Sequence, residues 1–189
     1  SRNSPEIKAM FDSVDWPSQP SVWFELPKDF QEAHNYVTTL GVPVPSVEDL
    51  IAQDAHTSYR YAMDYLEGRF ERGESSIARD IIKSLNYARM AKCRIRPAED
   101  LICKHDEYAE KYGDIMRQHD LWASWTEDEL IRSPVWMYQY AKDYVGGPLP
   151  DAMHNAMHLL SISMPSNRWI KKYFKAKKYL PKNLRKNCT

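Results

Sequence analysis

Apolar positions along this chain return every three or four residues, the period of a helix face rather than of a strand. Tyr59, Ala62, Met63 and Leu66 trace one such face, and Gly68 follows where a helix would end in a conformation that other residues avoid. Leu40 followed by Gly41, and Gly146-Gly147-Pro148 further on, give the same stop. Starts are marked as well. Ser46 with Asp49 and Thr126 with Glu129 have capping-box spacing, and Ser133 before Pro134 reads as a cap followed by a first turn. Asp54, Asp80 and Asp106 stand before or at further helix starts, where an acid answers exposed amides and the local dipole. The pattern predicts an all-α chain of short helices.

These helices are written in a repeat. Tyr36, Tyr61, Tyr87, Tyr112 and Tyr140 recur at intervals of 25, 26, 25 and 28 residues within EAHNYV, TSYRYA, KSLNYA, YAEKYG and WMYQYA. A second set, Ile51, Ile77, Ile102 and Ile131, follows 15, 16, 15 and 19 residues after the first four tyrosines. Two registered features over consecutive units predict two-helix repeats of about 25 residues, stacked as a small solenoid or compact array. Helices shorter than roughly 12–15 residues are marginal alone, so each pair must borrow apolar surface from its neighbours. The ends must then differ from the middle. Residues 1–28, with four prolines and Phe11, Trp16, Trp23 and Phe24, read as an irregular N-terminal cap; 29–150 form the array, and 151–189 supply closing helices with a basic tail.

Composition adjusts this picture in two places. Of 189 residues, 12 are Tyr and only 5 Phe, so many packed rings carry a hydroxyl that needs a partner, which favours thin layers over one dry core. The formal net charge of zero conceals an acidic body and a basic end: nine basic and no acidic residues lie between Arg168 and Thr189, leaving 17 basic and 26 acidic residues, a net charge of minus nine, on residues 1–167. No apolar run reaches the roughly 20 residues of a membrane-spanning helix, and the start SRNSPEIKAM has no secretory pattern. A soluble, cytoplasmic protein is expected. Cys93, Cys103 and Cys188 contain no CxxC pair and read as thiols rather than a disulfide or zinc framework.

Searching for chemistry yields no enzyme signature. No phosphate-cradling, dinucleotide or nucleophile-elbow string is present, so no catalytic residue and no cofactor is assigned. His154 and His158 share a helix face but lack the glutamate of HExxH, and read as ordinary helix-face histidines rather than metal ligands. Cys103 near His105 is adjacency in sequence only. Two or more of His34, His56, His105, Asp54, Asp80 and Asp106 meeting in one cleft would point instead to a small enzyme with an unfamiliar helical active site. The tail RWIKKYFKAKKYLPKNLRK interleaves Trp169 and Tyr173 with Lys171, Lys172, Lys175 and Lys178, a pattern able to neutralise phosphates and stack on bases, or to fold back on the acidic body.

The string YRYAMDYLEGRF followed by IARD, and its echo YQYAKDYVGG, resemble short repeats of tailed-bacteriophage proteins of the form YAxDVLxGRW followed by an acidic stretch, Ile and Asp. Tyr61, Ala62, Asp64, Leu66, Gly68, Arg69, Phe70, Ile77 and Asp80 match; the unit from Tyr87 carries Cys93 and Arg94 in place of the Gly-Arg pair, and the unit from Tyr112 departs further. The match is strong over residues 54–80, partial over 133–147 and faint elsewhere. The resemblance implies a phage origin, hence a host-cell cytoplasm and a host or phage protein as partner, and leaves the biochemical role open. With the residue patterns it leads to a non-enzymatic binding module whose contacts come from Tyr61, Arg69, Arg72, Tyr87, Trp136 and Tyr140 on the array and from Trp169, Lys171, Lys172, Lys175 and Lys178 at the end. The alternative is nucleic-acid binding through that basic C-terminal helix.

Overall fold

The structure, a computed structural model, describes residues 26–176. Phe11, Trp16, Trp23 and Phe24 of the expected N-terminal cap, and Lys178 of the tail, lie outside the described residues. Among those described, the fold is all-helical with no strand: α1 (Phe30–Leu40), α2 (Glu48–Ile51), α3 (Ala55–Tyr61), α4 (Glu74–Ile77), α5 (Ile81–Ala91), α6 (Arg96–Ile102), α7 (Asp106–Gln118), α8 (Glu127–Leu130), α9 (Pro134–Tyr140), α10 (Asp151–Ser163) and α11 (Arg168–Lys175). No helix among them is long and apolar enough to cross a membrane.

Long and short helices alternate from α1 to α9, as the sequence pattern requires. α3 and α9 each run on into a π turn, Ala62–Leu66 and Ala141–Val145, formed by the echoed strings AMDYL and AKDYV. The long elements pack in chain order: α1 on α3, the π turn after α3 on α5, α5 on α7, α7 on α9, and α9 on α11. Asp54 and Asp80 cap α3 and α5 by accepting from the amides of Thr57 and Lys83 at 2.8 and 3.0 Å. Ser133 caps α9, and Thr126 with Glu129 forms the full capping box of α8.

Several local expectations are corrected. Ser46 and Asp49 form no capping box, because Ser46 sits inside the 3-10 turn Pro45–Val47 and makes no side-chain cap. The cap position of α7 is His105, while Asp106 is already helical and accepts from Asn167 at 3.1 Å. The left-handed residue after α3 is Glu67 (φ 46°), not Gly68. Gly41 (φ 68°), Glu67 and Lys92 (φ 51°) hold this one register in successive units, 26 and 25 residues apart. Ile51, Ile77 and Ile102 are buried, but in the next unit Leu130 takes the inward position and Ile131 is exposed.

Candidate functional site

The recurring tyrosines serve the interior. Tyr61 accepts from the Val44 amide and donates to Glu48 (both 3.1 Å); Tyr87 accepts from Phe70 (2.7 Å) and donates to Glu74 (3.1 Å); Tyr112 accepts from Ile95 (2.9 Å) and donates to Glu99 (3.2 Å). In each case the amide lies 17 and the carboxylate 13 residues upstream. A phenol is both donor and acceptor, so one buried hydroxyl ties the mouth of the preceding loop to the acid that opens the next short helix. Burial, then the neighbouring Glu48, pushes the Tyr61 phenol up to about 12, and burial likewise raises Tyr87 and Tyr112, so all three remain donors at working pH. Tyr173 repeats the arrangement loosely, 3.4 Å from the Leu149 amide, with His154 at 2.9 Å where the glutamate would stand. Tyr140 departs from it: half-buried, it packs edge-on to Trp122 at 6.0 Å and stacks on Tyr144 at 5.0 Å.

Replacing Tyr87 by Phe should therefore strand the buried Phe70 amide and remove a donor from Glu74. The expected loss is about 1–3 kcal/mol, read as a lower urea midpoint with an unchanged slope.

The acids carry the polar interior. Arg69 grips Glu74 in a two-point contact, Nε to Oε1 at 2.7 Å and Nη2 to Oε2 at 3.2 Å, and Arg94 grips Glu99 in the same way at 2.9 and 2.8 Å. Arg94 is thus the register equivalent of Arg69. It also donates to the Ser124 carbonyl (2.6 Å) and pairs with Glu129 (2.9 Å), and its guanidinium lies 3.9 Å over the Trp125 ring. Arg132 reaches back to Glu99 and Asp100 at 2.9 and 2.6 Å, much as Arg72 reaches Glu48 and Asp49 at 3.6 and 3.3 Å.

This network gives acid sensitivity a definite sign. The hydrogen bond from Arg94, together with the Thr126 amide, holds the Glu129 carboxyl down at about 2 against an ordinary 4.5. A depressed folded-state value contributes stability that is complete above the unfolded value and lost as pH falls from about 4.5 toward 2. Glu129 should supply on the order of 2–3 kcal/mol of that loss. Denaturant midpoints between pH 5 and 2.5 should fall steeply in the wild type and less steeply in Glu129→Gln.

The structure sorts the sequence candidates plainly. Tyr61, Tyr87, Trp136 and Trp169 are buried and act in packing; Trp136 Nε1 donates to the Ala109 carbonyl at 3.0 Å. Arg69 and Arg72 are partly exposed and already paired with acids. On α11, Trp169, Ile170 and Tyr173 face the body while Lys171, Lys172 and Lys175 face solvent, and Arg168 pairs with Glu110 at 2.8 Å. Burial pushes the Cys93 thiol up to about 11 and raises Cys103, so neither is a thiolate at neutral pH. His154 is buried against Tyr173 and Phe174, and burial lowers its value. No group of three His, Cys, Asp or Glu able to hold a metal occurs among the described residues.

Two surface clefts remain. One, of about 490 Å³, is lined by Arg69, Glu71, Lys92, Cys93, Arg94 and Arg96, with Leu121 and Ser124. The other, of about 500 Å³, is lined by Glu48, Leu66, Phe70 and Arg72 and shares Arg69 and Glu71 with the first. None of His34, His56, His105, Asp54, Asp80 or Asp106 lines either cleft.

Sequence reasoning missed Glu48, Glu74 and Glu99, although each stands three residues before a register isoleucine. It also missed Lys92 and Arg96, which have no counterpart of the same charge in the preceding unit. No protein-family model, curated protein or solved structure matches the chain.

Proposed function

We propose that this chain is a non-enzymatic binding module, a stacked array of two-helix units that holds a rigid surface against a partner protein and acts by occlusion or scaffolding. The observation that carries this reading is the tyrosine latch recurring at Tyr61, Tyr87 and Tyr112 with one set of spacings. A latch of this kind fixes each loop relative to the next short helix, and rigid, pre-organised surfaces lose little entropy on binding. The resemblance to tailed-phage repeats favours a phage-encoded protein working in a host cytoplasm on a host or phage partner. Contacts then come from side chains that remain outside, Arg69, Arg72 and the half-buried Tyr140, rather than from the buried rings.

The rival, nucleic-acid binding, rests on the solvent-facing Lys171, Lys172 and Lys175 of α11. Deleting this helix would expose the core that Trp169, Ile170 and Tyr173 cover, so charge reversal is the cleaner test. Affinity capture from host and infected lysates should recover a saturable protein partner that survives nuclease treatment and the K171E/K172E/K175E change. Capture abolished by nuclease, by that triple change and steeply by added salt would establish the rival instead.

A further inference from the structure

The cleft between the second and third units carries charge that the fold does not ask for. Arg94 forms its floor and is fully engaged by Glu99, Glu129 and the Ser124 carbonyl. Its rim holds Lys92 and Arg96, both exposed, and neither is placed where local preference would put it. Lys92 occupies the left-handed position after α5, which the first unit fills with Gly41 and which strains a residue bearing a Cβ. Arg96 is the first residue of α6, the end of a helix that disfavours a cation. The preceding unit has Glu67 and Glu71 at these two registers. Lys92 makes no ion pair among the described residues, and Arg96 only approaches Glu129 at 4.0 Å with its side chain 69% exposed. Residues kept against local preference, without an internal partner, mark a surface held for another purpose.

The third cation is held ready by a weak internal competitor. Arg69 commits Nε and Nη2 to Glu74 but turns Nη1 to Glu71 at 2.9 Å, and Glu71 is 72% exposed. An exposed pair of this kind contributes about 0–1 kcal/mol, so an incoming carboxylate displaces Glu71 readily. Leu66 and Phe70 on one side and Leu121 on the other give the joined clefts apolar footing between the charges.

Taking the binding-module reading as its premise, we infer that this groove receives an acidic segment of a partner protein, with carboxylates on Arg69, Lys92 and Arg96 and apolar side chains between them. A nucleic-acid backbone suits it less well: Glu48 and Glu71 interrupt the basic rim, and a body of net charge minus nine opposes a continuous polyanion.

The probe is a fluorescein-labelled ten-residue peptide alternating Glu with Leu and Phe, compared by anisotropy with its Gln counterpart and with the oligonucleotide dT10. The acidic peptide should bind about tenfold more tightly than the Gln peptide, and K92G/R96E should lose about tenfold. E71Q should gain about threefold by removing the internal competitor. The melting temperature of K92G/R96E should equal or exceed that of the wild type, since both changes follow local preference. Equal binding of the two peptides, unchanged binding by K92G/R96E, lower stability of that variant, or equally tight binding of dT10 lost on K92G/R96E would each overturn the inference. A lysate partner retained by K92G/R96E would sink the groove and leave the module standing; tight acidic-peptide binding with no saturable protein partner would do the reverse.

Discussion

Glu99→Ala is expected to lower stability by about 3–5 kcal/mol, because it leaves buried cations without their counter-charge. The side chain of Glu99 is 1% exposed, and its two oxygens accept four hydrogen bonds: Oε1 from Arg94 Nε and the Tyr112 hydroxyl, Oε2 from Arg94 Nη2 and Arg132 Nη2. Four donors on two carboxylate oxygens saturate the group. With alanine in place, Arg94, whose side chain is 6% exposed, retains only Glu129 and the Ser124 carbonyl, and the Tyr112 hydroxyl loses its acceptor. Register equivalents supply the control. Glu74→Ala strands Arg69, which is 46% exposed and keeps Glu71, so about 1–2 kcal/mol is expected there. Glu48→Ala strands only the Tyr61 hydroxyl and the distant, exposed Arg72, and should cost least. Urea unfolding of the three variants should rank them Glu99, Glu74, Glu48; equal losses would show that stranded buried charge is not the cause.

That ranking also shows what the sequence made legible. Tyrosines 25 and 26 residues apart announced equivalent environments for Tyr61, Tyr87 and Tyr112, since identical spacing in short helices brings identical backbone within reach of the hydroxyl. Tyr140 broke the series because three additional residues enter before it and Trp122 fills the neighbouring space. The acids were invisible for a different reason: glutamates at short-helix starts are ordinary surface residues in most proteins, and only the fold shows Glu74 and Glu99 drawn inside by tyrosine and arginine. The left-handed residues Glu67 and Lys92 were hidden because a lysine or glutamate carries no signal for positive φ, whereas Gly41 and Gly146 do. For the binding surface the signal ran backwards. Recurrence identified rings that the array needs for itself, while Lys92 and Arg96, where one unit departs from its predecessor, are what remains outside.

Trp136→Ala should cost about 3–5 kcal/mol, and its effect should be uneven along the chain. The Trp136 ring is fully buried where α9 meets α7, edge-on to Trp125 at 4.8 Å and tilted against Tyr112 at 6.0 Å. Truncation opens a cavity between these rings and also removes the 3.0 Å bond to the Ala109 carbonyl. Trp136→Phe preserves much of the ring contact and loses the bond, so about 1–2 kcal/mol of the whole should persist in that variant. Location follows from the order of packing. α9 is held by α7 on one side and in turn supports α10 and α11, whereas α1 and α3 pack on each other at the opposite end. If stability is the sum of unit and neighbour terms, amides of α9, α10 and α11 lose hydrogen-exchange protection in Trp136→Ala while those of α1 and α3 keep most of theirs. A uniform loss of protection from α1 to α11 would mean that the chain unfolds as one cooperative body, and the stacked-array reading would then fail on its energetics whatever its geometry.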